Sequence, residues 1–298
     1  MKTAQSQINQ SSSSTARRQK FAAIQISGRW ITVTAAGVIS VLLGESVLAQ
    51  ETSSKDPVAP TVFQAAGPTA ASIQGTLDAY RAALGGLLNN NNPGPLTGGR
   101  REINWDGGNP NVMATTDPVT PFNTFLNTRG SQFTTPGQGL SQATPSGLAA
   151  LFNNPSYTNT FVAFSPSRLF TPVGSNITEG FFFIPGSNGG MPATVTGFGA
   201  VFTDVDRQDS NEGGKHRKHS ANTVIEYFDK DGREIFSSSV AASRGDGNFS
   251  FLGVVFNDAR IAQVRITTGN TAPGRNDDRN HDIVMMDDFI YGEPQLTQ

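Results

Sequence analysis

From Gly99 onward the chain is built of apolar segments of strand length, each closed by Gly, Pro, Asn or Ser, and this texture restricts the fold more than any other feature. The segments are "REINW", "FVAF", "RLFTPV", "EGFFFI", "ATVTGFGAVFTDV", "NTVIEYF", "REIFSSSVA", "FSFLGVVF", "RIAQVRITT" and "DIVMMDDFIY". All are rich in β-branched or aromatic residues, which suit a pleated, half-buried surface. Asp231 and Gly232 in "VIEYFDKDGREIF" predict a hairpin turn. "RIAQVRITT" alternates, so one of its faces meets water, whereas "FSFLGVVF" is apolar on both sides and belongs at the centre of a sheet. The expectation is an all-β fold, a jelly-roll-like antiparallel β-sandwich. Between Gly107 and Ser156 the Pro, Gly, Asn and Thr content predicts long loops with one strand at "SQFTT".

One helix is expected before the strands. Ile73, Leu77, Tyr80, Leu84 and Leu87 recur at steps of four and three, which lines one helical face, and Ser72 is a candidate cap. "GGLLNNNNPGPLTGG" then ends the helix with turn formers.

The N-terminus has the layout of a secretory signal: a basic patch (Arg17, Arg18, Lys20, Arg29), an uncharged apolar run from Trp30 to Gly44, and "SVLAQ", which predicts cleavage after Ala49. The run is shorter than the roughly 20 residues that span a bilayer, so no stable membrane anchor is expected in the mature chain. The sequence divides into a signal peptide (1–49), a flexible leader (50–69), a helix and linker (70–98), a β-sandwich domain (99–294) and a tail (295–298).

The whole chain carries 22 basic and 24 acidic residues; five basic and one acidic lie in residues 1–49, which leaves 17 against 23 in the mature chain. Without a basic stripe, that balance argues against a nucleic-acid partner. There is no cysteine, so disulfides and thiol chemistry are excluded and the core alone must hold the exported chain together.

Five stretches, "GRREINWDG", "FSPSRLFTPVGSN", "GFGAVFTDVD", "FSFLGVVFNDARIAQVRITTGN" and "DIVMMDDFIYGEP", resemble a family of exported bacterial β-sandwich proteins, many of unknown function. The resemblance implies a secreted jelly-roll-like domain and no established activity. Modules of this kind often hold a structural calcium where the first and last strands meet. Relatives often end in a hydrophobic sorting tail with an Arg cluster; the sequence here stops at "YGEPQLTQ", which sets the expectation against C-terminal membrane sorting.

The candidate ion ligands are Asp287 and Asp288 on the last strand, Asp204 and Asp206 at a strand end, and Glu102 and Asp106 on the first strand. Calcium takes six to eight oxygens, and irregular strand ends supply carboxylates and carbonyls together. Simple alternation puts Asp287 and Asp288 on opposite faces, so only one of them is expected to serve a given site. His216 and His219 lie among Lys215, Arg217 and Lys218 in "GGKHRKHS" (213–220), which reads as an exposed insertion rather than a metal site. There is no G-x-S-x-G elbow, H-E-x-x-H or phosphate loop. For an extracellular glycan, Trp105 and Tyr157 are the candidate ring platforms, while the 20 Phe are expected in the core. The functional expectation is a secreted, non-catalytic binding or surface module. The alternatives are a structural matrix protein without a small ligand and a carbohydrate-active enzyme.

Overall fold

The computed structural model describes residues 59–107, 117–206, 223–278 and 280–297. The signal segment and the basic insertion at 213–220 lie outside the described residues. In chain order the elements are β1 (Thr61–Gly67), α1 (Ala70–Ala83), β2 (Arg100–Ile103), α2 (Leu126–Arg129), β3 (Ser131–Thr134), β4 (Gly139–Ala143), α3 (Pro145–Leu151), α4 (Tyr157–Thr160), β5 (Leu169–Val173) and β6 (Ile177–Phe182). They continue with β7 (Ala193–Thr194), β8 (Gly197–Thr203), β9 (Val224–Phe228), β10 (Glu234–Ser239), β11 (Phe249–Val255), β12 (Gln263–Thr267), β13 (Met285–Gly292) and β14 (Gln295–Leu296).

Two antiparallel sheets pack face to face. The larger runs β1-β11-β8-β13-β5-β4, with β2 also paired to β13; the smaller runs β10-β9-β12-β6-β3. Within them, β5, β13, β8 and β11 are neighbours in one sheet and β6, β12, β9 and β10 in the other. The eight strands are therefore wound as a jelly roll, with the last long strand in the middle of the larger sheet.

Burial follows from what covers each face. The smaller sheet alternates: Val264 and Ile266 of β12 are buried while Gln263, Arg265 and Thr267 are half-exposed. The larger sheet is covered on both sides, so all eight residues of β13 are buried, and so are all but the last of β11. Between the sheets lies a core that includes Phe133, Phe182, Tyr227 and Val264 from one side and Phe198, Phe202, Leu252, Phe289 and Tyr291 from the other. Behind the larger sheet, Ile73, Leu77 and Tyr80 of α1 and its C-cap Leu84 pack on Val201, Phe251 and Ile290. Each such side chain contributes about 1.5–3 kcal/mol of burial. Gly253 makes the close approach possible, because a Cβ there would sit 2.7 Å from the Tyr80 ring.

Several expectations are corrected. The leader is not flexible throughout, since Thr61–Gly67 forms the edge strand paired with β11. The helix ends at Ala83 and leaves Leu87 exposed, and its N-cap is Thr69, whose hydroxyl contacts that of Ser72. "FVAF" is loop, not strand. Between Asp117 and Ser156, β3 falls on "SQFTT" as expected, but β4, α2 and α3 were not suggested by the sequence, and Gln295–Leu296 of the tail pairs with β7.

Candidate functional site

The six candidate carboxylates separate into two groups. The first is centred on β13. Met286 pairs with Phe202 and Phe289 with Ala200, so three residues of β13 advance against two of β8; the extra residue is a β-bulge at Asp287 and Asp288. Met286 and Phe289 both face the inter-sheet core, and Ile290 faces α1. The bulge thus breaks the alternation and turns both carboxylates outward, contrary to the expectation of opposite faces. They converge on one hydroxyl: Ser165 Oγ is 2.7 Å from Asp288 Oδ1 and 3.3 Å from Asp287 Oδ1.

This group is internally compensated. The backbone N–H of Phe164 donates to Asp287 Oδ2 at 2.6 Å and that of Asp288 to Asp287 Oδ1 at 2.8 Å. Asp106 accepts from the N–H groups of Ser167 and Arg168 at 2.5 and 2.8 Å. Arg81 of α1 grips Glu102 with two bonds, at 3.0 and 3.1 Å, and lies 3.9 Å from Asp288; Arg100 reaches Glu102 at 2.5 Å. Burial first, and then the adjacent Asp288, push the Asp287 carboxyl well above the usual carboxylate range. Burial likewise raises Asp288, partly offset by the Ser165 hydroxyl. Below this set lies an ion pair that sequence reasoning missed: Arg101 and Glu293, both fully buried, are joined by bonds of 2.6 and 2.7 Å between β2 and the residue after β13.

The second group lies at the end of β8. Asp204, Asp206 and Asp277 each bring a carboxylate oxygen within 4.8 Å of the others. Asp277 belongs to the loop before β13, and only the Asp-rich spelling of "GRNDDRNHD" hinted at it. Asp204 is fully buried with a left-handed backbone (φ 69°); among the described residues no backbone, hydroxyl or cationic donor reaches its oxygens, and its side-chain partner is the Asp277 carboxyl. Asp206 accepts from the Gly245 N–H at 3.0 Å, and Asp277 from the Ile283 N–H at 3.1 Å. No described Lys, Arg or His pairs with any of the three. Burial, then the charges of Asp277, Asp206 and Asp246, push Asp204 up to about 9. Among the described residues no hydrogen bond or ion pair joins the carboxylates of this group to those of the first.

The ring platforms are corrected outright. Trp105 is fully buried, stacked on Phe170 at 3.7 Å with its Nε1–H donated to the Asp287 carbonyl. Tyr157 is fully buried against Phe161 and Phe152. Neither offers a face to a ligand. The outward rings belong instead to Phe181 and Phe228, half-exposed on the smaller sheet, where the sequence placed Phe in the core.

That sheet's outer face is the third feature. Registered across the strands are Thr134, Glu179, Arg265, Glu226 and Ser237, beside a row of Gln132, Phe181, Gln263, Phe228 and Glu234. Arg265 bonds Glu179 at 2.7 Å and lies 5.5 Å over the Phe228 ring. A groove of about 750 Å³ adjoins it, lined by Phe181, Phe183, Met191, Lys230 and Asp231 among others. Among the described residues no helix is long and apolar enough to cross a membrane. Compared with protein-family models, with curated proteins and with solved structures, the chain gives no significant match, so its chemistry must be argued from these residues.

Proposed function

We propose that this is an exported, non-catalytic β-sandwich that works outside the cell as a glycan-binding module. The observation that carries the reading is the outer face of the smaller sheet. Described elements bury both faces of the larger sheet, whereas this face leaves amide, carboxylate, guanidinium and hydroxyl groups in register beside two Phe rings and a groove. A sugar needs that combination: several hydrogen-bonding groups fixed in orientation and apolar patches for its C–H faces. Rigid strands position the groups without an ordering cost on binding. Binding rather than catalysis is supported by the Asp287–Asp288 pair, which is buried and already engaged by Ser165 and the Phe164 N–H.

A glycan array probed with the mature chain from Gln50 tests this. The expected result is binding to one polysaccharide class that is lost in Arg265→Ala while the melting temperature is unchanged. Failure to bind any glycan, or binding indifferent to Arg265→Ala, overturns the assignment and leaves the matrix-protein alternative.

A further inference from the structure

We propose that Asp204, Asp206 and Asp277 form a binding site for one calcium ion where β8 ends, apart from the junction of β2 and β13. Three carboxylates from two distant stretches of chain bring an oxygen each within 4.8 Å. Clustered acids alone are common, but Asp204 is different in kind. Its carboxylate is fully buried, no backbone, hydroxyl or cationic donor among the described residues reaches either oxygen, and its neighbours are two further carboxylates, of which Asp277 can share a proton with it. A buried acid left this way carries a desolvation cost that nothing described in the fold repays. A cation among the three oxygens repays it for all of them at once.

The chemistry selects the ion. The donors are all hard oxygens, with no nitrogen or sulfur ligand, which disfavours zinc and copper. Asp246 adds a fourth negative charge close by. The ligands sit on a strand end and loops, an irregular frame that suits the larger and geometrically tolerant calcium better than the strict octahedron of magnesium. The consequence is a clasp: Asp206 already holds the loop at Gly245, and Asp277 holds the start of the run into β13. The ion joins β8 to both.

The test is thermal unfolding of the mature chain in calcium chloride, in magnesium chloride and in EDTA, with native mass spectrometry for stoichiometry. Expected are one retained calcium, a melting temperature that rises with each tenfold increase in calcium, and loss of both in Asp277→Asn. That variant changes a partly exposed ligand and keeps the fold. Asp287→Asn should retain both. Superimposed melting curves with no calcium retained overturn the site. So does a calcium response that survives Asp277→Asn. A third overturning result is a calcium-independent fall in melting temperature when Lys215, Arg217 and Lys218 are replaced by Gln, because the basic insertion would then be the cation. None of these results bears on glycan binding at Arg265, so the two readings fail separately.

Discussion

The two acidic groups of this molecule share a residue type and a sheet, yet differ in what meets their charge. Around Asp287 and Asp288 the fold brings Arg81 and Arg100 to Glu102, Ser165 to both aspartates, and backbone N–H groups to Asp287 and Asp106. Around Asp204 the described residues bring two further carboxylates and no cation, and the two backbone N–H groups that arrive, from Gly245 and Ile283, go to Asp206 and Asp277. Acidic density is therefore a poor guide to an ion site. The informative quantity is the balance of donors and cations, and that balance makes the first group part of the architecture and the second a place for a ligand.

The contrast can be broken most forcefully at the compensated end. Replacing Glu293 by Ala leaves the fully buried Arg101 guanidinium without a counter-charge, at an expected cost of about 3–5 kcal/mol in urea denaturation. Substituting both partners by apolar residues, Arg101→Met with Glu293→Leu, should recover only part of that loss, because Asn89 and the Leu96 N–H lose the Glu293 carboxylate and the Asn90 and Asn92 carbonyls lose the Arg101 guanidinium. A cost under about 1 kcal/mol for the single change would show that the Arg101–Glu293 pair does not hold the sheet together.

At the uncompensated end the corresponding effect comes from the solution. A hundredfold excess of calcium over its dissociation constant should stabilise the chain by about 2.7 kcal/mol. The response should also depend on pH. In metal-free protein the Asp204 carboxyl is raised to about 9, so the folded state keeps a proton that the unfolded chain releases near pH 4. Stability from this group is therefore full below that pH and is lost as pH rises toward 9. Calcium must displace the proton, so its stabilising effect should grow between pH 5 and pH 8 as judged by melting temperature; a response equal at both values contradicts the assignment.

A smaller effect is expected at Asp287. Because burial, and then the neighbouring Asp288, raise its carboxyl and so favour the neutral form, the isosteric Asp287→Asn should change stability by no more than about 1 kcal/mol. A loss of several kcal/mol would mean that the ionised form is the structural one. Smallest of all is Arg265→Ala, whose partly exposed ion pair with Glu179 should contribute within about 0.5 kcal/mol to stability, whatever it does to glycan binding.

Much of the fold could be read in the sequence because strand length and alternation are local properties. β9 and β10 follow "VIEYF" and "REIFSSS" around a turn in which Gly232 takes φ 75°. Ile73, Leu77 and Tyr80 are buried as their spacing requires. The sites were legible only in part, since their geometry depends on events that pattern does not record. One inserted residue in β13 moves Asp287 to the side of Asp288, and nothing in "VMMDDFIY" announces a bulge. Asp277 meets Asp204 because the winding of the strands brings a distant loop to the end of β8. β1 was missed because "TVFQAAG" packs one residue in two against α1 and pairs on one edge only, which asks little of its composition.

The central position of β13 has a consequence for how the chain reaches this state. Among the described strands, the one that joins β8 to β5 and β2 is the last long one in chain order, and the outer strand β1, formed from the first described residues, must wait for β11. No portion that ends before β13 can complete the larger sheet, and its closing pairs, such as Ala65 with Phe251 and Arg101 with Tyr291, join residues far apart in the chain, so assembly should be slow. A nascent chain truncated before Met285 would expose two unpaired strand edges and the aromatic side chains meant to pack beneath them, a state prone to association. For a protein that must thread through a membrane unfolded, as the proposed export requires, this delay is an asset: the larger sheet stays open until Met285–Gly292 emerges on the far side.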